Sequence, residues 1–482
     1  MACSAKAQPN LSPADRARFI TDHLPPHLYR SVAEPGADVA SVAWRISPQP
    51  FPLSPKTVAQ LQALGQHLLK FYDALNKMYF RSVRGTLPAF VAEYLDMGKP
   101  EPIVRVGRQN RFKQDLPGVI RPDIILTEGG GMIASELDSV PGGMGFVGAM
   151  GEAYCEAGFD QVGDYDGIVR GFAAMAAKIA EKERPTIAIV VSQESDGYRG
   201  EMEWLAGALT RADLAEAAAV RPEEVVFTEE ALAVDMPGGR RKVDVLYRFF
   251  ELYDMLNVPK QELFLYSARH KRVVITPPPK AFVEEKLTYQ LLHHKALADF
   301  WKPELGEETY ELLLSLFPET WILDPRPLPP QGAIAGLFVD GRPLQSWSQL
   351  YGLSKSERQF VVKPSGFSEL AWGSRGVYMA NDLTRDEWMA VLDGGLAIFE
   401  KNPQILQRYH KARRVKAEYL DQKTGEIKMM DGRVRLTPFY FVAGAEARLS
   451  GVLATVVPAD KRIIHGMNDA IMTVCMESPS GY

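Results

Sequence analysis

Cysteine is nearly absent from this chain. Cys3, Cys155 and Cys475 are the three among 482 residues, far apart, with no CxxC pair and no histidine at ligand spacing. That excludes a dense disulfide framework and a zinc site, and predicts reduced thiols in a cytoplasm. Long apolar runs are missing too: none reaches roughly 18 residues, so no membrane-spanning helix is expected. The opening MACSAKAQPNLSPADRARF has no apolar core of the secretory kind. Positive charge is not in excess, since 55 Lys and Arg face 60 Asp and Glu for a net charge of −5. Nucleic acid and anionic membranes are thereby excluded as default partners. The eight histidines are scattered, and the adjacent pair His293-His294 falls in a helical stretch where neighbouring side chains diverge. No G-x-S-x-G elbow occurs, so nucleophile–base catalysis has no visible seat.

What is present is material for a large core, with 46% hydrophobic residues and length for two to four structural units. Residues 1–50, rich in Pro, Ala and charge, read as an irregular surface arm. Ser54-Pro55 opens a helix, and Val58, Leu61, Leu64, Leu68, Phe71, Leu75 and Met78 form its apolar stripe. A short helix is expected at 86–97, then the apolar run Ile103-Val-Arg-Val. Helices are expected at 147–158, 167–183 and 199–216, with strands at 186–192, 224–228 and 242–249, so 185–276 reads as a small layer of parallel strands. After Pro277-Pro-Pro279 come a helix at 281–300 and strands at 359–363 and 376–379. A helix near 385–400 and strands near 412–420, 434–443, 449–457 and 470–476 complete the chain.

Two constellations carry chemistry. In the first, Arg121-Pro-Asp-Ile-Ile-Leu and Met132-Ile-Ala-Ser-Glu-Leu-Asp138 read as two strands joined at Gly129–Gly131. Residues i and i+2 share a strand face, so Asp123, Glu136 and Asp138 converge at one end of a hairpin. Clustered carboxylates repel unless a cation lies between them, and hard oxygen donors suit Mg²⁺. Arg121 shares the face of Asp123 and would meet an anion there. A solvated hairpin end is the competing reading. In the second, Val362-Lys363-Pro364 leads into a loop bearing Gly366, Gly373 and Gly376 before the next strand. A lysine beside a glycine loop makes a flap for phosphates, because backbone N–H groups approach closely where no Cβ intervenes. The competing reading is an ordinary hairpin with a long loop. A third pattern, Gly143-Met-Gly145-Phe-Val-Gly148, matches G-x-G-x-x-G and would suit a dinucleotide-binding oxidoreductase. Glu136 and Asp138 just before it oppose a pyrophosphate.

Taken in order, these residues resemble the circularly permuted ATP-grasp fold of the glutathionylspermidine synthase-like family. There a strand pair R-x-D…E-x-N-x-D-x-P carries metal ligands. A Tyr-Arg strand, a lysine near a helix start, V-K-P with a Gly-rich loop and a Gln-containing hinge strand follow. This chain shows Arg121-x-Asp123…Glu136-Leu-Asp138-Ser-Val-Pro141, Tyr247-Arg248, Lys286, Val362-Lys363-Pro364 with the 366–376 loop, and Ile405-Leu-Gln407. Asp138 stands where the family usually has Asn, and the Cys/His pair of the amidase domain often fused to such synthetases is absent.

The resemblance implies an α/β (mixed α+β) fold with a helical N-terminal region at 1–100 and the metal-bearing strand pair within 101–184. It further implies a small Rossmann-like subdomain at 185–276 and the lysine, loop and hinge portion at 277–482 with the C-terminal strands, which would pack beside the early hairpin. It also implies an ATP-dependent carboxylate–amine ligase working through an acyl phosphate, with ATP and Mg²⁺ as cofactors and small-molecule or peptide acids and amines as substrates. Asp123, Glu136 and Asp138 would be metal ligands and Arg121 the catalytic group. Lys286, Lys363, Gly366, Gly373 and Gly376 would meet the phosphates, with Lys280 or Lys295 as alternatives to Lys286. Gln407 would meet the adenine. Arg248 would line the substrate cleft or form a core ion pair. A nucleotide-binding homologue without ligase chemistry, or one phosphorylating another acceptor, and a non-catalytic interaction protein are the other readings.

Overall fold

A computed structural model describes residues 3, 11–25, 28, 44–328, 332–371, 375–466 and 469–482. The chain divides into two compact units. One holds Met1–Asp73, Gln109–Pro279 and Ala412–Tyr482, the other Ala74–Arg108 and Lys280–Lys411. Among the described residues no helix is long and apolar enough to cross a membrane.

The first unit is built on an eight-stranded sheet whose central member is the long strand Glu426–Ala443. One edge of that strand pairs antiparallel with Glu446–Pro458, which pairs in turn with Ile471–Glu477. Its other edge pairs with Arg414–Asp421 and then with Val119–Leu126, the first strand of the early hairpin. The C-terminal strands therefore do pack beside that hairpin. Helix Gly167–Ala180 covers the sheet through a stripe including Phe172 and Ala176. Its Gly171 leaves room for the Phe441 ring, which a Cβ there would meet at 2.4 Å.

Beside it lies a second, wholly parallel sheet in the order Val274–Thr276, Val245–Phe249, Thr186–Val191, Glu216–Val220. Thr186–Val191 is buried throughout, as the apolar run 187–191 requires in a strand covered on both faces. The parallel layer expected at 185–276 is present, with altered membership. Helix Arg199–Arg211 ends early, and the alanine-rich Glu216–Val220 is the strand that follows it. Alanine favours helix, but the open edge of Thr186–Val191 supplies backbone partners that outweigh the propensity. Val226–Phe227 instead joins an antiparallel sheet with Leu232–Met236 and Gly239–Lys242.

The second unit carries a four-stranded antiparallel sheet, Thr320–Ile322, Gln404–Arg408, Phe360–Pro364, Tyr378–Met379. The expected helix at 281–300 is broken there. A 3₁₀ turn, Ala281–Glu284, precedes helix Thr288–His293, and a further helix, Ala298–Leu305, begins only after an extended His294. The cause lies in the hydrogen bonds. The Lys286 and Leu287 amides donate to the Ser365 carbonyl and hydroxyl instead of to a helix. Ile103-Val-Arg-Val lies in a helix, Glu101–Gly107, opened by the prolines at 100 and 102. The expected 86–97 helix shrinks to Phe90–Asp96.

Two corrections concern the N-terminal region. Residues 13–23 of the expected irregular arm form a helix, Pro13–His23, whose Ser12 side chain accepts from the Asp15 amide and which buries Ala17 and Ile20. The arm's 29–43 lies outside the described residues. The three cysteines are not all thiols. Cys3 and Cys155 form a disulfide, with Cys475 buried and free. Distance along the chain hid the pair, and the argument for a reducing compartment loses its ground.

Helix Met144–Glu156 shows what the glycine pattern is for. A Cβ on Gly145 would stand 2.2 Å from the Glu201 carbonyl oxygen, and one on Gly148 would stand 2.4 Å from the Trp204 ring. The glycines let this helix and Arg199–Arg211 meet at backbone distance. Gly145→Ala should therefore destabilise the protein by at least about 2 kcal/mol in urea unfolding, because backbone cannot yield as a side chain can. Gly207→Ala, whose Cβ faces only the flexible Arg211 tip at 3.2 Å, should be neutral or stabilising by up to about 1 kcal/mol.

Candidate active site

The early hairpin is as expected, strands Val119–Leu126 and Met132–Asp138 closing through a tight turn. The Thr127 amide donates to the Gly131 carbonyl at 2.9 Å, and Gly130 adopts φ +82°, which a side chain would resist. Register decides the rest. Ile124 faces Ala134, but a bulge intervenes and Asp123 faces Glu136, with Arg121 facing Asp138. Without the extra residue, Ser135, Glu136 would lie opposite Pro122 on the face of buried Ile120 and Ile124. The bulge re-aims Glu136 and Asp138 onto the face of Asp123. The Ser135 hydroxyl donates to the Asp123 carbonyl across it at 3.2 Å.

The three carboxylates converge on a guanidinium. Arg121 Nη2 lies 3.1 Å from Asp138, 3.6 Å from Asp123 and 4.0 Å from Glu136. Arg435, from the neighbouring long strand, reaches Asp123 Oδ2 at 2.8 Å, and the Thr437 hydroxyl donates to its Oδ1 at 3.3 Å. Burial raises the Asp123 carboxyl above its ordinary range, with Arg435 and Arg121 opposing and Glu136 adding to the rise. Burial alone would lower Arg121, yet Asp123, Asp138 and Glu136 together hold it above its ordinary value. Among the described residues no group of three or more His, Cys, Asp or Glu is poised to hold a metal ion. The donor chemistry nonetheless fits a hard cation, and Arg121 is the cation standing in among them.

The same region contains a buried carboxylate that spacing did not reveal. Glu201 Oε2 accepts from the Phe146 amide at 3.3 Å, at the start of helix Met144–Glu156. Burial pushes its carboxyl up to about 7, against the Phe146, Gly143 and Gly145 amides that favour the charged form. A side chain of this protein thus takes the helix terminus where the G-x-G-x-x-G reading would seat a pyrophosphate, and that reading fails. Tyr198 packs its ring on Gly142, and burial and then Glu201 push its hydroxyl up to about 12. The buried Arg248 donates to the Pro277 and Phe250 carbonyls.

In the second unit Lys363 is buried in strand Phe360–Pro364, opposite Ile405. Lys286 lies against the loop that follows, its Nζ donating to the Ala371 carbonyl at 3.1 Å. Gly366 sits where a Cβ would meet the Glu284 carbonyl and Glu285 carboxyl at 2.8 Å, and the Gly376 amide donates to Leu370 at 3.1 Å. Gly373 lies outside the described residues. Of the alternative lysines, Lys280 is fully buried and donates to Asn76 Oδ1 at 2.8 Å, whereas Lys295 is exposed. Gln407 is buried in strand Gln404–Arg408 and its amide donates to the Thr320 hydroxyl at 3.2 Å.

No family model and no curated protein matches this sequence. Among solved structures, a glutathione synthetase-like effector from Globodera pallida, in apo form, is similar at TM-score 0.57 and 11% identity, over 98% of this chain and 100% of that one. A putative gamma-glutamylcysteine synthetase from Methylobacillus flagellatus KT is similar at TM-score 0.38 and 13% identity, over 79% of this chain and 84% of that one, too loosely to bear on the fold. The first likeness is one of fold alone, a mixed α/β fold shared with that protein.

Glu201 gives a pH signature. Its folded-state value near 7 lies above the ordinary 4.5, so between those values the folded state keeps a proton that the unfolded chain has lost. Stability attributable to this group falls as pH rises through that window and is level above it. Glu201→Gln should gain about 3 kcal/mol on the wild type between pH 4.5 and pH 8. Urea unfolding of both proteins across that range tests this, and a constant difference would refute it.

Proposed function

We propose that the protein is an ATP-dependent carboxylate–amine ligase of the circularly permuted ATP-grasp type. The observation that carries the reading is the bulged hairpin, which gathers Arg121, Asp123, Glu136 and Asp138 on one face. A partly buried ionic cluster adds little to stability compared with apolar packing, so its presence argues for chemistry. The fold likeness and the buried Lys363 beside a glycine-bearing loop support it.

In this reading Lys286 and Lys363 meet the nucleotide phosphates and the loop containing Gly366, Gly373 and Gly376 closes over them, with Gln407 at the adenine. Asp123, Glu136 and Asp138 are the residues that would hold Mg²⁺, whose contribution is to neutralise charge on the phosphate oxygens. The substrate carboxylate attacks the γ-phosphorus, an acyl phosphate forms and ADP leaves. The amine then attacks the acyl carbon, inorganic phosphate departs and the amine proton is released, leaving an amide. Arg121 stabilises the transferring phosphoryl group or the tetrahedral oxyanion, a role often worth roughly 3–4 kcal/mol. Loop closure excludes water, which protects the acyl phosphate from hydrolysis. The acid and amine are small molecules or peptides.

A second reading, a nucleotide-binding protein without ligase turnover, is favoured by one observation: Arg121 already lies among the three carboxylates that would hold the cation. Phosphate release from ATP in the presence of candidate acids and amines separates the two. The ligase reading expects release that requires both substrates and is lost in Lys363→Ala and in Glu136→Ala, with circular dichroism unchanged. Full activity in both variants would remove the assignment, and ATP-induced thermal stabilisation without any turnover would establish the second reading.

A further inference from the structure

The base of the 366–376 loop is anchored by residues that no motif marks. Ser365 donates its hydroxyl to Glu285 Oε2 and accepts from the Leu287 amide at 3.0 Å. Its own amide donates to Pro403 at 2.9 Å, and its carbonyl takes the Lys286 amide at 2.7 Å. Glu285 Oε1 is paired with Lys99 Nζ at 2.5 Å, both side chains being only 2% exposed. Lys99 comes from the turn between helices Phe90–Asp96 and Glu101–Gly107, remote in sequence from the loop. Gly98 makes that approach possible, since with φ +74° it brings the turn so close to Lys401 that a Cβ would lie 2.3 Å from the Lys401 carbonyl.

The loop itself returns to this anchor. The Phe367 ring lies 5.7 Å from Lys99 Nζ, and the Ser368 hydroxyl accepts from Asn402 at 3.0 Å. Residues 365–368 are thus held one after another, and the same network fixes the backbone of Lys286 to the end of the strand bearing Lys363.

We propose that Lys99, Glu285 and Ser365 form a positioning network for nucleotide binding. It sets the spacing of Lys286 from Lys363 and pins the base of the loop, residues 365–368, in place. The proposal rests on the ligase reading's nucleotide site. Desolvation explains why the network has this form. A buried carboxylate costs free energy unless it is paired and hydrogen-bonded, so Glu285 forces Lys99 and Ser365 into one geometry.

The test is ATP binding by calorimetry together with amide exchange of the intact protein. Ser365→Ala keeps the Lys99–Glu285 pair and so is the variant expected to fold. It should weaken ATP binding about tenfold, the factor carried by one hydrogen bond to a charged group. It should also speed exchange at Leu287 and at 366–371 while strand 404–408 keeps its protection. Lys99→Met should do the same more strongly, and Lys99→Arg should restore affinity to within about twofold, since the buried charge is kept. Wild-type ATP affinity and unchanged exchange in Ser365→Ala would overturn the network while leaving the ligase reading intact. A wild-type protein that binds no ATP would overturn both, and the unaltered wild-type chain makes that result distinct from the first.

Discussion

Five charges share a small volume at the hinge of this structure's logic. Asp123, Glu136 and Asp138 face Arg121, and Arg435 closes on Asp123 from the adjoining strand. The cluster joins a hairpin from the first third of the chain to a strand from its last sixth, so it depends on the pairing of Val119–Leu126 with Glu426–Ala443. Were either guanidinium removed, a carboxylate would be left in a place where water cannot fully solvate it, a cost of several kcal/mol in comparable sites. Three carboxylates face two guanidinium groups. The sheet is thus both scaffold and electrostatic frame.

Glycine serves two different purposes in this chain, and the two look alike in one dimension. In helix Met144–Glu156 it permits packing: Gly145 and Gly148 are filled from outside by Glu201 and Trp204. At Gly366 it permits the loop base to lie on the Glu284 and Glu285 backbone and carboxylate. Only the second lies beside Lys286 and Lys363. Protein atoms fill the space beside the glycines in both places, and in the first the Glu201 carboxylate also takes the Phe146 amide.

Much of this is legible in the sequence alone. The apolar stripe from Val58 to Met78 is buried throughout, none of its seven residues more than 3% exposed, because helical period alone dictates the face. The hairpin turn, the Thr186–Val191 strand with its apolar run 187–191, and the C-terminal strands beside the early hairpin followed from local pattern and from the family resemblance. Other features depended on partners that no local pattern encodes. The one-residue bulge at Ser135 is a property of pairing, although the convergence of the three carboxylates requires it. Arg435 and Glu201 look like ordinary strand and helix charges until their neighbours are known. Alanine at 217–219 became strand because an edge was available, and the segment around Lys286 left the helix because Ser365 competed for its amides.

The Cys3–Cys155 bond has a practical corollary for anyone handling the protein. It closes a ring of chain that contains helices Pro13–His23 and Pro55–Val83 and the whole early hairpin. A protease nick anywhere inside that ring would leave the two fragments covalently joined, so a damaged molecule would migrate as a single species on a gel until a thiol was added. Judging integrity here calls for electrophoresis in both redox conditions.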